Sequence, residues 1–234
     1  SNHWDSLTGS EENNFLAGYD GDDLLAGGLG NDLLRGGAGA DLLDGGEGID
    51  TADYRDSDAG VTVNLATGSA IGGTADGDTF VAIERIYGSN HWDSLTGSEE
   101  NNFLAGYDGD DLLAGGMGND TLIGGAGHDI FLLNTPLSQT GNKDSLRDFE
   151  SNQDLIHLDK DIFAALTDEG TLRSDLFCAN TTGAALDDND YILYNTSSGA
   201  LLYDADGSGQ GASVQFATLT DKPGITANDF LVVA

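Results

Sequence analysis

The sequence contains very few positive charges. It has 8 Lys and Arg against 41 Asp and Glu in 234 residues, which gives a formal net charge of −33 at pH 7. Binding to phosphate backbones or anionic membranes requires clustered Lys and Arg, so this composition argues against a nucleic-acid or anionic-membrane partner. Regularly spaced apolar residues beside the acids distinguish the chain from a disordered, solvating polymer. We therefore expect a fold that binds cations.

Cysteine and long apolar runs are also missing. The single cysteine, Cys178, excludes an internal disulfide and has no zinc-site spacing, so we expect it to be a small buried apolar residue. No apolar run approaches the roughly 18–20 residues of a membrane-spanning helix, so no transmembrane segment is predicted. No signal peptide is visible, but Ser1 falls at the second position of a repeat. We expect the chain to be part of a longer protein.

Catalytic motifs are absent as well. The sequence has no H-E-x-x-H, no G-x-S-x-G and no Cys-His arrangement. His3 and His91 occupy one duplicated turn position, His128 lies in another turn, and His157 lies in a predicted strand. We predict no catalytic residue and no enzymatic activity in this chain, and expect any catalytic domain upstream of Ser1.

Glycine, in contrast, is abundant, with 35 glycines against 2 prolines. That level indicates backbone positions with φ > 0 or close stacking where a Cβ does not fit. From Gly9 the chain divides into the nonapeptides GSEENNFLA, GYDGDDLLA, GGLGNDLLR, GGAGADLLD and GGEGIDTAD. A second array from Gly88 reads GSNHWDSLT, GSEENNFLA, GYDGDDLLA, GGMGNDTLI and GGAGHDIFL. Residues 1–28 recur unchanged as residues 89–116, so the nonapeptides lie within an 88-residue duplication.

The period of nine predicts the architecture. A run of about three strand residues is too short to be stable alone and must stack on copies of itself. The six preceding residues form a glycine-rich turn, and two nonapeptides make one coil of a flattened helix. Strands of repeats n and n+2 then lie parallel, about 4.8 Å apart. The apolar eighth residues fill the core between two sheets, and the Asp-bearing turns stack along each edge.

Stacked carboxylates repel one another, and a hard divalent cation resolves the conflict. Calcium accepts about 6–8 oxygen ligands from carboxylates and backbone carbonyls in flexible geometry, whereas magnesium demands a tighter octahedron. The sequence therefore favours calcium. The predicted side-chain ligands occupy the sixth position of the repeats: Asp5, Asn14, Asp23, Asp32, Asp41, Asp50, Asp93, Asn102, Asp111, Asp120 and Asp129.

The segments GGLGND, GGAGAD, GGEGID, GGMGND and GGAGHD resemble the RTX (repeats-in-toxin) nonapeptide G-G-x-G-x-D-x-U-x, which forms a calcium-bound parallel β-roll. The resemblance implies a right-handed all-β solenoid with a mixed, mainly β C-terminal cap. It also implies backbone carbonyl ligands from the first four turn positions. Carried over, these are Gly18, Asp20, Gly27, Gly28, Leu29, Gly30, Gly36, Gly37, Ala38, Gly39, Gly45, Gly46, Glu47, Gly48, Gly106, Asp108, Gly115, Gly116, Met117, Gly118, Gly124, Gly125, Ala126 and Gly127.

Some turns depart from the pattern. Glu12 and Glu100 stand where glycine is expected, as do His3 and His91, and the two GSEENN turns carry Asn in place of Asp. The best pairs join residues 18–23 with 36–41, 27–32 with 45–50, and 106–111 with 124–129. Counting all stacked pairs within the arrays gives up to seven calcium ions, which would bring the net charge to about −19.

The rest of the chain is organised around the arrays. We predict a first β-roll array at residues 1–53, a β-strand insert at 54–87 that joins the arrays, a second array at 88–132, and a C-terminal region at 133–234. In that last region the sequence predicts strand, turn and strand, a short helix near Lys160–Glu169 with Asp159 as N-cap, and then a hairpin and a third strand. It resembles the cap and type I secretion signal of RTX exoproteins.

Two local features have alternative interpretations. Asp204-Ala-Asp206-Gly-Ser208 imitates the start of an EF-hand loop, but the preceding ALLY favours a strand, so we predict a hairpin turn with a bound calcium as the alternative. Trp4 and Trp92 fall in turns and either pack locally, which we favour, or form a carbohydrate-stacking surface.

The sequence thus predicts a non-catalytic module that binds calcium, folds when calcium binds, and belongs to a bacterial protein exported by a type I system to the outside of the cell or its surface. Its predicted partners are calcium, the secretion apparatus and an upstream catalytic or adhesive domain. The alternative is a calcium-dependent polysaccharide-binding or adhesion module, similar to the R-modules of alginate-modifying enzymes. An ice-binding roll is disfavoured because the third turn position has no regular Thr/Asn file.

Overall fold

The computed structural model describes residues 3–234, and Ser1 and Asn2 of the first predicted array lie outside the described residues. Successive nonapeptides contribute strands alternately to two sheets, so each strand pairs in parallel with the one 18 residues further along. The strands of the first array are β1 (Ser6–Thr8), β2 (Phe15–Asp20), β3 (Leu24–Leu29), β4 (Leu33–Ala38), β5 (Leu42–Glu47) and β6 (Thr51–Asp53).

Four of these strands are longer than the sequence predicts. β2, β3, β4 and β5 each have six residues, because the strand continues into the next nonapeptide. In β2, for example, Tyr19 and Asp20 still pair with Gly37 and Ala38 of β4. The expectation of three-residue strands is therefore wrong for these repeats, and the turns are correspondingly tighter.

The insert and the second array continue both sheets. β9 pairs with β5, β10 lies between β6 and β12, and β7 pairs with β11, while β8 forms antiparallel pairs with β7 and β9. These strands are β7 (Thr62–Asn64), β8 (Ser69–Ile71), β9 (Thr79–Val81), β10 (Arg85–Tyr87), β11 (Ser94–Thr96), β12 (Phe103–Asp108), β13 (Leu112–Ala114), β14 (Thr121–Ala126) and β15 (Ile130–Leu133).

Beyond the repeats, the two sheets still grow by parallel pairing. β16 pairs with β14 and then with β22, and β17 pairs with β15 and then with β23. β20, β21 and β22 are antiparallel, as the predicted hairpin and third strand require. The strands are β16 (Asp144–Arg147), β17 (Leu155–Asp159), β18 (Gly170–Thr171), β19 (Phe177–Asn180), β20 (Ile192–Asn195), β21 (Ala200–Tyr203), β22 (Val214–Leu219) and β23 (Phe230–Val233).

The helix predicted near Lys160–Glu169 is wrong. The chain makes isolated turns there, in which Phe163 N–H donates to the Asp159 carbonyl and Leu166 N–H donates to the Phe163 carbonyl. Phe163 is fully buried and packs edge-on against Tyr203 and Phe216, with ring centroids 5.3 and 5.0 Å away. Burial of this ring in the cap outweighs the helix propensity of its neighbours, because propensity is a weak preference.

The core is a file of apolar side chains along the roll. From Leu25 onward, residues at the eighth repeat position are fully buried from coil to coil, as the period predicts, whereas Leu7 and Leu16 in the first coil are only partly buried. The described part of the chain has three short 3₁₀ helices, at Gly73–Ala75, Ser174–Leu176 and Ala227–Asp229, and none of its helices is long and apolar enough to cross a membrane. The fully buried eighth-position residues are Leu25, Leu34, Leu43, Ala52, Leu95, Leu104, Leu113, Leu122 and Phe131.

Candidate metal centre

The sixth-position acids form hydrogen-bonded columns along the turn edges. The Oδ1 atom of Asp41 accepts the backbone N–H of Asp23 at 2.7 Å, and Asp23 Oδ1 in turn accepts the N–H of Asp5 at 2.7 Å. On the other edge, Asp50 Oδ1 accepts the N–H of Asp32 at 2.6 Å. Each bond links residues 18 apart, so the period of two nonapeptides fixes one oxygen of each carboxylate against the neighbouring coil.

The second oxygen of these carboxylates has no hydrogen-bond partner. It is buried in each of seven Asp residues, whose side chains are at most 3 % exposed. An unpaired carboxylate oxygen away from water costs several kcal/mol unless a cation or donor compensates it. A column of them therefore indicates a missing positive partner. The seven residues are Asp23, Asp32, Asp41, Asp50, Asp111, Asp120 and Asp129.

The glycine at the first turn position leaves room for a group between coils. A methyl carbon built on Gly18 would lie 2.6 Å from the Gly36 carbonyl oxygen and would also overlap the Asp23 carboxylate. The same holds for Gly27, between the Gly45 carbonyl and the Asp32 carboxylate. The space that a Cβ would fill is thus lined by oxygen atoms of two successive coils.

The other predicted carbonyl donors lie in the same turns. Those at the second and fourth positions have positive φ; at Gly37, for instance, φ is 108° and a side chain would overlap the Tyr19 backbone. Several third-position residues end strands, including Asp20, Leu29, Ala38, Glu47, Asp108 and Ala126, whereas Met117 lies in the turn after β13. The other predicted carbonyl donors with positive φ are Gly28, Gly30, Gly39, Gly46, Gly48, Gly116, Gly118, Gly125 and Gly127.

Side chains alone do not form a metal site. Within residues 3–234, no three His, Cys, Asp or Glu side chains converge in a way that could hold an ion. Backbone carbonyls must therefore supply part of any coordination shell. An all-oxygen shell of carboxylates and carbonyls suits a hard cation such as calcium, and it does not suit the softer metals that prefer sulfur and nitrogen.

A comparison with known families decides between turn chemistry and metal binding. A family model described as the RTX calcium-binding nonapeptide repeat matches four times, at residues 1–34, 18–52, 87–122 and 96–131. The chain carries RTX calcium-binding repeats. The matched segments, residues 1–52 and 87–131, are therefore similar to repeats that bind calcium.

Similarity to solved structures is weak. The solved structure of the extracellular lipase LipA from Serratia marcescens matches 98 % of this chain at 17 % identity, with a TM-score of 0.30. The chain spans 40 % of the lipase chain, and a TM-score of 0.30 does not establish a shared fold. No curated protein matches the sequence.

In the degenerate RTX turns, a backbone N–H of the same turn donates a hydrogen bond to the side-chain oxygen of the sixth residue. In the GSEENN turns, the N–H of Ser10 donates to Asn14 Oδ1 at 2.5 Å, and the N–H of Ser98 donates to Asn102 Oδ1 at 2.6 Å. In the GSNHWD turn, the N–H of Ser89 donates to Asp93 Oδ2 at 2.6 Å. Serine at the second position therefore marks turns whose carboxylate or amide oxygen already has an internal donor, a signal that the sequence contains.

Burial shifts the acidity of the RTX aspartates. Desolvation, followed by repulsion from neighbouring carboxylates, raises the pKa of Asp111 to about 8 and the pKa of Asp41 and Asp129 to about 6, from an ordinary value of 3.8. Backbone N–H donors at each carboxylate oppose the shift without cancelling it. The folded chain therefore destabilises its own ionised carboxylates.

Four acids outside the nonapeptides continue the columns, and the sequence analysis missed them. Asp78 Oδ1 accepts the N–H of Asp41 at 2.9 Å, and the carboxylates of Glu84, Asp144 and Asp154 accept the equivalent N–H groups of Asp50, Asp120 and Asp129 at 2.9–3.1 Å. Each acid precedes an apolar residue by two positions, as in DTFV, ERIY, DSLR and DLIH. These four segments keep the acid of the sixth repeat position and the apolar residue of the eighth, but they lack the G-G-x-G glycines that precede them in the nonapeptides.

The minor predictions have mixed outcomes. Cys178 is buried, as predicted. Trp4 and Trp92 are 65 % and 56 % exposed, so neither ring is buried, and local packing and a carbohydrate-stacking surface both stay predictions. Asp204 and Asp206 lie in the loop between the antiparallel strands β21 and β22, which confirms the hairpin.

Proposed function

We propose that this chain is the calcium-binding and calcium-folded part of an extracellular bacterial protein exported by a type I system. The observation that carries the proposal is the set of seven buried carboxylate oxygens without a donor, beside carbonyl oxygens of the adjacent coil. Bound calcium supplies the positive charge that these oxygens lack. The chain itself positions each carboxylate by fixing Oδ1 to a backbone N–H of the neighbouring coil.

The proposed ligands are the carboxylates and turn carbonyls of successive RTX turns. Three sites lie between nonapeptides that both carry Asp and glycine: residues 18–23 with 36–41, 27–32 with 45–50, and 106–111 with 124–129. In each, the first turn contributes an unpartnered Oδ2 and the second contributes its first-position carbonyl. The GSEENN and GSNHWD turns are weaker sites, because serine N–H groups occupy their side-chain oxygens.

The C-terminal strand supports a link between folding and export. Residues 230–233 form β23 inside the larger sheet, between β17 and β18, and Phe230 and Val232 are buried. A secretion apparatus that reads this apolar tail needs it before the chain folds. Scarce calcium in the cytosol would keep the acidic chain unfolded during export. Abundant calcium outside would drive folding, because the free energy of binding becomes free energy of folding.

Calcium stoichiometry in Gly27→Ala tests the proposed geometry. The added methyl group would overlap the Asp32 carboxylate and the Gly45 carbonyl, so we expect the variant to bind one calcium ion fewer than the wild type and to lose about 1–3 kcal/mol of stability in calcium. Native mass spectrometry and isothermal titration calorimetry give the counts. Gly224→Ala is the matched control, because a methyl group there meets no heavy atom within 4 Å. A wild-type chain that binds no calcium would contradict the function itself.

A polysaccharide-binding role is the second candidate, favoured by one surface. Residues 1–132 contain three Arg and no Lys. Arg35 and Arg85 lie in strands β4 and β10 of the smaller sheet, Arg55 lies in the loop after β6, and each guanidinium lies over an aromatic ring. The Arg35 guanidinium carbon lies 5.6 Å from the centroid of the Phe15 ring. Arg55 lies over the Tyr87 ring, and Arg85 lies over the Phe103 ring. Aromatic faces with adjacent hydrogen-bond donors can bind sugar rings.

The double variant Arg85→Ala, Phe103→Ala tests this surface. In a glycan array with calcium present, we expect the wild type to retain a polysaccharide and the double variant to lose it, because the variant removes both a donor and a ring face. Arg173→Ala, which removes an exposed arginine in the C-terminal region, should bind like the wild type. Retention of no glycan by the wild type would exclude the candidate.

A further inference from the structure

The last turn of the first array stacks on a turn from the insert that is only half as long. β5 pairs with β9 up to Asp44 and Val81, and β6 pairs with β10 from Thr51 and Arg85 onward. The six residues 45–50 therefore lie against three residues, 82–84. Residues 82–84 read Ala-Ile-Glu, with neither the glycines nor the Asp of the nonapeptide turn.

The short turn nevertheless reproduces the hydrogen bond of the acid column. Glu84 Oε2 accepts the backbone N–H of Asp50 at 2.9 Å, within the 2.6–2.9 Å range of the Asp–Asp bonds between nonapeptides in the arrays. The extra methylene of glutamate compensates for the missing residues of the turn. The N–H groups of Glu84 and Arg85 both donate to the Asp50 carbonyl, which holds the two turns in register.

The short turn also supplies a carbonyl in the expected place. The atom nearest to a methyl carbon built on Gly45 would be the Ala82 carbonyl oxygen, with the Asp50 carboxylate beside it. Gly36 and Gly45 stand in the same relation to Gly18 and Gly27 between nonapeptides. Ala82 adopts φ 49°, an uncommon conformation for a residue with a side chain. Such strain persists only where the surrounding structure fixes it.

The charges at this junction are uncompensated. Asp50 is fully buried and its Oδ2 has no hydrogen-bond partner. In residues 3–234, no Lys or Arg forms an ion pair with Asp50 or Glu84. The sister junction differs, because the Tyr54 hydroxyl donates to Asp78 Oδ2 at 2.8 Å and supplies a donor from the protein. Among residues 3–234, no such donor reaches Asp50 Oδ2.

We infer that Asp50, Glu84 and the Ala82 carbonyl hold a calcium ion at the junction of the first array and the insert. This site rests on the proposed function and extends it, because its second turn contains neither glycine nor aspartate. Calcium suits it because all three donors are hard oxygen atoms in a flexible arrangement. The calcium ladder then passes from the first array into the insert.

The test compares Glu84→Gln with Asp58→Asn by native mass spectrometry and calorimetry in saturating calcium. Glu84→Gln keeps an oxygen acceptor for the Asp50 N–H but loses the charge, so we expect one bound calcium ion fewer than in the wild type. Asp58→Asn removes the same charge from an exposed side chain of the insert, outside every proposed site, and should bind the wild-type number. Equal counts in all three proteins would overturn the site. A wild type that binds no calcium would overturn the proposed function instead.

A second measurement does not depend on the variant folding. Wild-type crystals grown with calcium should show an anomalous peak between the Asp50 carboxylate, the Glu84 carboxylate and the Ala82 carbonyl. Peaks between the nonapeptide turns with none at this junction would refute the inference and leave calcium binding by the repeats intact.

Discussion

Chelation of calcium with EGTA at neutral pH is expected to abolish most of the β-sheet signal of this chain. Seven buried carboxylate oxygens without a donor would then face one another in two columns. A net charge of −33 adds long-range repulsion over the whole roll. Within the two arrays the apolar core is largely a file of one fully buried side chain per nonapeptide, so hydrophobic burial there has little capacity to offset these costs.

Far-UV circular dichroism during a calcium titration measures the effect. We expect the β signal to return cooperatively when calcium is restored, and to return poorly with magnesium, which requires a smaller octahedral shell. Size-exclusion chromatography should show the chelated chain eluting earlier, as an expanded polymer. A spectrum unchanged by exhaustive chelation, with no divalent ion recovered from the protein, would contradict the role of calcium in folding.

The period of nine made much of this structure predictable. Two nonapeptides per coil place Leu25 beside Leu43 and connect Asp23 to Asp41, so the registry of the core and of the acid columns follows from counting residues. The strand length did not follow, because the six-residue strands depend on how closely the glycine turns can stack. The nine-residue period predicts which residues of successive repeats lie beside one another, but it does not predict the backbone conformation between them.

The period of nine could not predict that the four acids outside the nonapeptides join the columns. Asp78, Glu84, Asp144 and Asp154 bond to residues 37, 34, 24 and 25 positions earlier, whereas the repeats use a constant 18. Loops of different length separate them, and only the sheet pairing of β9, β10, β16 and β17 brings each acid to the column. The short motif of an acid two residues before an apolar side chain is too common to be decisive without that pairing.

Acid is expected to replace calcium in part. For the chelated chain, the folded-state pKa values of Asp41 and Asp129 are about 6 and that of Asp111 is about 8, because burial disfavours the ionised form. A folded pKa above the ordinary value of 3.8 means that the folded state binds protons more tightly than the unfolded state. The stability that these groups contribute is complete below about pH 4 and disappears as the pH rises through 6 to 8.

The pKa of one buried acid in the same region, Asp53, is shifted in the opposite direction. Burial alone would raise the pKa of Asp53, but hydrogen bonds from Arg55 and Arg35 lower it below the ordinary value. The stability that Asp53 contributes is therefore present at neutral pH and lost in acid. Asp53 is outnumbered by the acids with raised pKa values, and each pKa unit corresponds to about 1.4 kcal/mol. We therefore expect the chelated chain to show more β structure at about pH 5 than at about pH 8.

The calcium-loaded chain should have the reverse dependence. Calcium binds the deprotonated carboxylates, so its contribution grows as protons leave and falls as the pH drops towards 5. Thermal unfolding followed by circular dichroism at about pH 5 and about pH 8, with EGTA and with saturating calcium, gives four midpoints whose order tests both signs. If the chelated chain were more stable at pH 8 than at pH 5, the buried acids would not be what keeps the calcium-free roll from folding.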